Sequence, residues 1–135
     1  MGSVYHAGID IGSTTIKVAV YDERVNLVYG AYRRHHALTT DTLQWLLADA
    51  QAKLGAIEIK ANFTGSAGIG MAEQLELPFV QEVVASAAFL QKLQPEVRTF
   101  IEIGGEDAKI VFFDERLRPQ VRMNGSCAGG TGAFI

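Results

Sequence analysis

The stretch AGIDIGSTTIKVAVYD, residues 7–22, decides the fold because its pattern predicts two strands joined by a glycine-containing turn. Before the turn, Ile9 and Ile11 flank Asp10, and after the turn β-branched residues recur at every second position. This period of two, carried by β-branched side chains, is typical of half-buried strands. The segment VNLVYGAYRR, residues 25–34, follows a short polar turn, so we predict a meander of three strands.

The middle of the chain changes to helical spacing. In TTDTLQWLLADAQAKL, residues 39–54, leucine and alanine side chains fall on one helical face, and Gly55 follows as a stop signal. AIEIKANFTG, residues 56–65, returns to a strand pattern. EVVASAAFLQKL, residues 82–93, predicts a second helix that ends near Pro95. The predicted order is β-β-β-α-β-α, with a short helix and a short extended piece before the last helix.

The opening pattern returns near the end of the sequence. AGIDIGSTTIKVAVYDE, residues 7–23, aligns without a gap with TFIEIGGEDAKIVFFDE, residues 99–115, and RPQVRMN, residues 118–124, follows as a third strand. We interpret this repetition as an internal duplication. It indicates a first α/β domain over residues 1–96 and the first three strands of a second copy over residues 97–135, which stops where its first helix is expected.

Each copy places an acid at a strand end immediately before a glycine-containing turn. Glycine lets backbone N–H groups approach phosphate oxygens, and the acid can hold Mg²⁺ through water. One such turn alone is usually only a hairpin. Two aligned turns with acids at matching positions, Asp10 and Glu102, favour a pair of hairpins that grips nucleotide phosphates from both sides. Neither segment is a Walker A loop or a G-x-G-x-x-G motif, so a P-loop or Rossmann fold is not supported.

Composition excludes several other classes of protein. The formal net charge is −3 and no basic block occurs, which argues against a nucleic-acid surface. No apolar run approaches the roughly 20 residues of a membrane helix. The N-terminus has no basic segment followed by an apolar one, so a secretory signal is not expected. One cysteine cannot form an internal disulfide, which fits a reducing compartment. We therefore expect a soluble cytoplasmic domain.

Three segments carry a family resemblance. GIDIGSTTIK (residues 8–17) and IEIGGEDAK (residues 101–109) resemble the two phosphate motifs of the actin, hexokinase and chaperone ATPase superfamily. More narrowly, they are similar to those of the ATP-dependent activators of 2-hydroxyacyl-CoA dehydratases and benzoyl-CoA reductases. MNGSCAGGTGAF (residues 123–134) resembles the cysteine-containing motif of the same activators. The resemblance covers essentially the whole chain and implies a ribonuclease H-like, actin-like ATPase fold.

The resemblance also implies the cofactors ATP and Mg²⁺ and a set of site residues. Asp10 and Glu102 would be catalytic, with Asp10 also organising the metal ion. The nucleotide-binding residues implied by the three motifs are Gly12, Ser13, Thr14, Thr15 and Lys17 in the first, Gly104, Gly105, Asp107 and Lys109 in the second, and Gly130, Thr131 and Gly132 in the third. The chain departs from the family pattern at Glu102, where aspartate is usual, at Glu106, where glutamine is usual, and at Ser86, where small activators carry histidine.

Cys127 has several interpretations from residue types alone. A lone cysteine is most often a small buried apolar residue. A nucleophile would need a histidine base, and His6, His35 and His36 show no relation to it; we expect the last two at a solvated strand end and His6 in a loose terminus. The resemblance implies a ligand of a 4Fe-4S cluster shared by a homodimer, with a second cysteine of each protomer downstream of residue 135.

The resemblance implies an ATP-driven electron donor to a 2-hydroxyacyl-CoA dehydratase or similar CoA-ester enzyme. Because the superfamily binds adenosine with later residues of its second domain, we expect this chain alone to bind ATP weakly or not at all and to be inactive. The alternatives are a small-molecule (sugar) kinase of the same superfamily, which leaves Cys127 without a role, and a degenerate non-catalytic scaffold, towards which Glu102 and Glu106 lean.

Overall fold

The computed structural model describes residues 2–104 and 108–123 and divides into two compact units, Met1–Val80 and Gln81–Ile135. The first unit is built on a mixed sheet of four strands in the order β3-β2-β1-β4. β1 (Val4–Ile11), β2 (Thr15–Tyr21) and β3 (Leu27–Arg34) form an antiparallel meander, and β4 (Glu58–Thr64) runs parallel to β1. The predicted three-stranded meander is confirmed.

Helix α1 (Thr39–Leu54) connects β3 to β4 and packs on one face of this sheet. The alternation of the sequence places the apolar residues of β1 and β2 on that face, where Leu46 of α1 is fully buried. Burial of one such side chain contributes about 1.5–3 kcal/mol. The buried residues shared by the sheet and α1 are Ala7, Ile9, Ile11, Ile16, Val18, Val20, Tyr29, Leu43, Leu46 and Ala50.

A short helix and an extended piece complete the first unit, as predicted. Helix α2 (Gly68–Gln74) follows β4 and buries Ala72. The extended piece around Phe79 then pairs with β4 in parallel. The Phe63 N–H donates to the carbonyl of Pro78 at 2.8 Å, and the Val80 N–H donates to the carbonyl of Phe63 at 2.8 Å. The sheet is thus extended on the side of β4 that faces away from β1.

The second unit contains helix α3 (Glu82–Leu93) and an antiparallel sheet of β5 (Thr99–Ile103), β6 (Ala108–Phe113) and β7 (Pro119–Met123). The strand order β5-β6-β7 repeats the meander of the first unit, as the duplicated sequence predicts. Contacts within the chain group α3 with this sheet, whereas the predicted boundary at residue 96 would assign it to the first domain. That domain boundary stays a prediction. Of the helices in the described part of the chain, none has the length and apolar character that crossing a membrane requires.

Candidate functional site

The turn between β1 and β2 leaves backbone donors open. The Gly12 N–H donates to the carbonyl of Thr15 at 2.9 Å, which closes the hairpin around residues 13 and 14. Within residues 2–104 and 108–123, the N–H groups of Ser13 and Thr14 donate to no protein acceptor. Unpaired N–H groups of a tight turn form a concavity that attracts anions. The first predicted turn therefore has the backbone chemistry of a phosphate site.

Asp10 and Lys17 face each other across the same hairpin. They are register partners, and the Lys17 Nζ lies 3.4 Å from the Asp10 Oδ2. The Lys17 side chain is 61 % exposed and that of Asp10 is 33 % exposed. An exposed pair of this kind contributes little to folding, at most about 1 kcal/mol. Both charged groups can therefore reorient towards a ligand at the turn without a large loss of stability.

Gly65 closes the site from the end of β4, and sequence reasoning missed it. Its φ is +97°, and a Cβ there would lie 2.3 Å from the Ile11 carbonyl oxygen and 2.5 Å from the Asp10 Oδ1. Parallel pairing places Thr64 opposite Asp10, so the residue after Thr64 reaches the end of β1. The only signal in the sequence was a glycine directly after a strand, which marks a close approach only when the neighbouring strand is known.

The Thr64 hydroxyl gives a second indication of a ligand. Its Oγ1 is buried and has no hydrogen-bond partner among the described residues. A buried hydroxyl without a partner is unfavourable, so such atoms usually meet a water, an ion or a ligand. Together with the Asp10 carboxylate on the neighbouring strand, this hydroxyl fits a hydrated cation or a phosphate oxygen.

His35 lies beneath the turn, contrary to the predicted solvated strand end. It is 8 % exposed, whereas His36 is exposed as predicted. The His35 Nε2 lies 3.0 Å from the carbonyl oxygen of Gly12, and its backbone N–H donates to the carbonyl of Thr14 at 3.1 Å. The prediction for His35 was wrong because the end of β3 pairs with the start of β2, which draws His35 under the turn. Sequence alone did not show that pairing register.

These groups can bind a polyphosphate and its cation. The turn offers N–H donors, Lys17 offers a positive charge and Asp10 offers a carboxylate. Among the described residues, no group of three His, Cys, Asp or Glu side chains could hold a metal ion by itself. Mg²⁺ keeps several waters and is usually bound through one or two carboxylates and substrate phosphates. A single carboxylate beside a phosphate turn therefore fits Mg²⁺ better than a metal with a full set of protein ligands.

The second hairpin repeats the charged pair in a buried form. Glu102 and Lys109 are register partners, and the Lys109 Nζ lies 4.0 Å from the Glu102 Oε1 and 2.7 Å from the Glu82 Oε2. The Lys109 side chain is 9 % exposed. Glu82, at the start of α3, was not singled out from the sequence. Gly104 follows β5 and is half-buried. The predicted residues that lie outside the described part of the chain are Gly105, Asp107, Cys127, Gly130, Thr131 and Gly132.

Tyr29 and Asp49 fasten α1 to β3 near the base of the first sheet. The Tyr29 hydroxyl lies 2.8 Å from the Asp49 Oδ2, to which it donates. Burial, assisted by this hydrogen bond, raises the pKa of Tyr29 to about 12. The same hydrogen bond lowers the pKa of Asp49. This pair supports the fold and lies apart from the turn.

Curated proteins of known name match nearly the whole chain. The chain is 28 % identical over 138 residues to the (R)-2-hydroxyglutaryl-CoA dehydratase activating ATPase of Acidaminococcus fermentans, covering 98 % of this chain and 52 % of that protein. It is 29 % identical over 134 residues to the 2-hydroxyisocaproyl-CoA dehydratase activator of Clostridioides difficile, covering 98 % of this chain and 50 % of that one. The chain thus spans about half the length of these curated relatives.

A solved structure shares the fold. The activator of the 2-hydroxyisocaproyl-CoA dehydratase from Clostridium difficile with bound ADPNP superimposes with a TM-score of 0.76 and 27 % identity, covering 96 % of this chain and 49 % of that chain. The predicted ribonuclease H-like, actin-like ATPase fold is confirmed. Residues 7–135 match the BadF/BadG/BcrA/BcrD ATPase family. The chain belongs to the BadF/BadG/BcrA/BcrD ATPase family, within the actin-like ATPase superfamily.

Proposed function

We propose that this chain is the part of an ATP-dependent activator that binds the nucleotide phosphates. The observation that carries the proposal is the first hairpin, where the open N–H groups of Ser13 and Thr14 lie beside the Asp10–Lys17 pair. The proposed partner is a 2-hydroxyacyl-CoA dehydratase or a related CoA-ester enzyme, because relatives that match nearly the whole chain are named as activators of such enzymes.

Each residue of the hairpin has a distinct task in this proposal. The N–H groups of residues 13 and 14 donate hydrogen bonds to phosphate oxygens, and Thr15 completes the turn. Lys17 leaves its loose pairing with Asp10 and offsets phosphate charge. Asp10 would hold a Mg²⁺ ion, which would supply positive charge to the phosphate oxygens when bound. The weak Asp10–Lys17 pair keeps both groups available for this exchange.

The second hairpin is assigned its role from the resemblance of residues 101–109 to the second phosphate motif of the activators. Glu102 and Gly104 would contribute to phosphate binding or hydrolysis in the intact protein. The Lys109 ammonium already lies against the carboxylates of Glu82 and Glu102. We therefore assign Lys109 the task of holding Glu102 in place, and we assign the direct cationic contact with phosphate to Lys17.

The redox part of the proposal rests on Cys127. We propose that Cys127 ligates a 4Fe-4S cluster shared by two copies of the protein. Such a cluster supplies one-electron transfer when it is bound. The resemblance of residues 123–134 to the cysteine-containing motif of the activators supports this assignment. The dehydratase would receive the electron after nucleotide binding and hydrolysis.

Nucleotide binding by the intact protein tests the proposal most directly. We expect Asp10→Asn to weaken binding of ATP with Mg²⁺ about 10- to 100-fold, because a charge-assisted contact is lost without a change of shape. Lys17→Ala should weaken it by a similar factor. Asp41→Asn, in the first turn of α1, and Lys60→Ala, on β4, are the matched controls because both native side chains are exposed. Calorimetry gives the dissociation constants.

Activity and colour then separate the alternatives. Anaerobically reconstituted intact protein should take up iron, lose its cluster absorbance in Cys127→Ser, and activate a dehydratase only with ATP. A colourless protein that phosphorylates a sugar would identify a kinase. Protein that neither hydrolyses ATP nor takes up iron would be a scaffold, and the proposal would be wrong.

A further inference from the structure

His35, which directly follows β3, contacts the first turn through both its ring and its backbone. Its ring reaches the carbonyl oxygen of Gly12 through Nε2 at 3.0 Å and the backbone N–H of Ala37 through Nδ1 at 3.1 Å. Its backbone N–H donates to the carbonyl of Thr14 at 3.1 Å, and its own carbonyl accepts from the Leu38 N–H at 2.7 Å. One buried residue thus holds two carbonyls of the turn.

These contacts fix the tautomer of the ring. A backbone N–H can only donate, so the Nδ1 that faces Ala37 must be unprotonated and accept. A neutral imidazole then carries its hydrogen on Nε2. Nε2–H is therefore the donor to the carbonyl oxygen of Gly12. Ala37 reaches Nδ1 because it and His36 adopt left-handed backbone conformations, with φ of 65° and 46°, which turn the chain back towards the ring.

The two held carbonyls set the direction of two N–H groups. In a trans peptide the C=O of one residue and the N–H of the next point in opposite directions, and the described chain contains no cis peptide bond. Since the carbonyl of Gly12 points at the ring of His35, the Ser13 N–H points away from it. The carbonyl of Thr14 points at the backbone of His35, so the Thr15 N–H also points away.

We propose that His35 is a positioning residue of the phosphate site. Its Nε2–H tautomer holds the Gly12–Ser13 peptide, so that the N–H group of Ser13 faces an anion before that anion arrives, and its backbone N–H holds the carbonyl of Thr14 at the end of the turn. Donors fixed in advance bind more tightly because little ordering remains to be done on binding. That the anion is the phosphate chain of ATP rests on the function proposed above.

Two substitutions distinguish the role of Nε2 from that of Nδ1. The amide nitrogen of glutamine can occupy the place of Nε2 and donate to Gly12, whereas asparagine is long enough only for the place of Nδ1. In the intact protein, His35→Gln should keep the affinity for ATP with Mg²⁺ within about threefold, and His35→Asn should lose about tenfold, the equivalent of one buried hydrogen bond. His36→Gln is the control because His36 is exposed.

Nitrogen-15 spectra provide a readout that does not depend on ATP. The His35 ring should show a protonated Nε2 and an unprotonated Nδ1. The amide signal of Ser13 should shift in His35→Asn and stay close to wild type in His35→Gln. Melting temperatures of both variants show whether a loss of binding is only a loss of folding.

The outcomes separate this inference from the proposed function. Equal loss of affinity in the Gln and Asn variants, or a ring protonated on Nδ1, overturns the role of His35 even if the wild type binds ATP. A wild-type protein that binds no ATP overturns the proposed function instead. Inorganic triphosphate then decides the inference: tighter binding by wild type and His35→Gln than by His35→Asn supports it, and no binding by any of them ends it.

Discussion

The β1–β2 and β5–β6 hairpins share a register but differ in their surroundings. Asp10 faces Lys17 in the first and Glu102 faces Lys109 in the second. The Lys17 side chain is 61 % exposed and lies 3.4 Å from the Asp10 carboxylate, whereas the Lys109 side chain is 9 % exposed and lies against the carboxylates of Glu82 and Glu102. The same charged pair is thus exposed to solvent in one copy and enclosed beside a second carboxylate, that of Glu82, in the other.

The turns that follow these hairpins have stayed alike. The Asp22 Oδ1 accepts from the N–H groups of Arg24 and Asn26, each at 2.9 Å. The Asp114 Oδ1 accepts from the N–H groups of Arg116 and Arg118 at 2.8 and 2.9 Å. A left-handed residue occupies the same position in each turn, Val25 with φ of 63° and Leu117 with φ of 59°. The structural turn is therefore the same in both copies, and the divergence lies at the hairpins.

The two sheets also bury opposite faces. Ile9 and Ile11 are fully buried under α1, whereas the aligned Ile101 and Ile103 are 63 % and 48 % exposed. In the second unit the covered face carries Lys109, and α3 supplies its partner Glu82. Alternation in the sequence thus determines which side chains share a face, and the helix that packs there determines whether the face is buried.

The largest change in stability is expected at Gly65, which lies against the end of β1. We expect Gly65→Ala to lower the free energy of unfolding by about 3 kcal/mol, since the new methyl meets backbone atoms of β1 and the φ of +97° is strained for alanine. Urea denaturation measures the change. Gly55→Ala is the matched control because Gly55 has φ of +80° and open space around it, so it reports strain without overlap. Equal losses in the two variants would contradict the close approach.

The next prediction compares the contributions of Lys109 and Lys17 to the free energy of unfolding. Lys109→Met removes the cation that lies against the Glu82 and Glu102 carboxylates, and we expect a loss of about 2 kcal/mol in the free energy of unfolding. Lys17→Met should lose less than about 1 kcal/mol, because its pair is exposed. Denaturation curves of both variants provide the comparison. Similar losses would show that both lysines have the same structural role.

The fold was more predictable from the sequence than the site. Strand alternation and the spacing of leucines predicted the meander and α1, because burial on one face leaves a period that a single sequence displays. Contacts between distant elements leave no such period. Gly65 reaches Asp10 only through the parallel pairing of β4 with β1, and His35 reaches Gly12 only through the register of β3 on β2. Glu82 was missed for the same reason.

A smaller effect compares aligned isoleucines on the two apolar faces. Ile9→Val removes one methyl group from a close-packed core and should lower the free energy of unfolding by about 1 kcal/mol. Ile101→Val changes an exposed position and should stay within about 0.5 kcal/mol of wild type. Urea titrations of the two variants measure both changes. A larger loss at Ile101 would show that its face is covered in solution by a partner.

The smallest effect concerns the turns that the copies share. The side-chain amide of Asn26 lowers the pKa of Asp22, and the backbone N–H of Arg118 lowers that of Asp114. A carboxylate whose folded pKa lies below its unfolded value stabilises the fold above the unfolded pKa, and that stabilisation is lost as the pH falls through the folded pKa. Carbon-13 titration of both carboxyl groups should therefore give midpoints below 3.8, the value of an unperturbed aspartate. A midpoint at 3.8 or above for one aspartate alone would mean that its turn is not formed in solution and that the copies diverge there too.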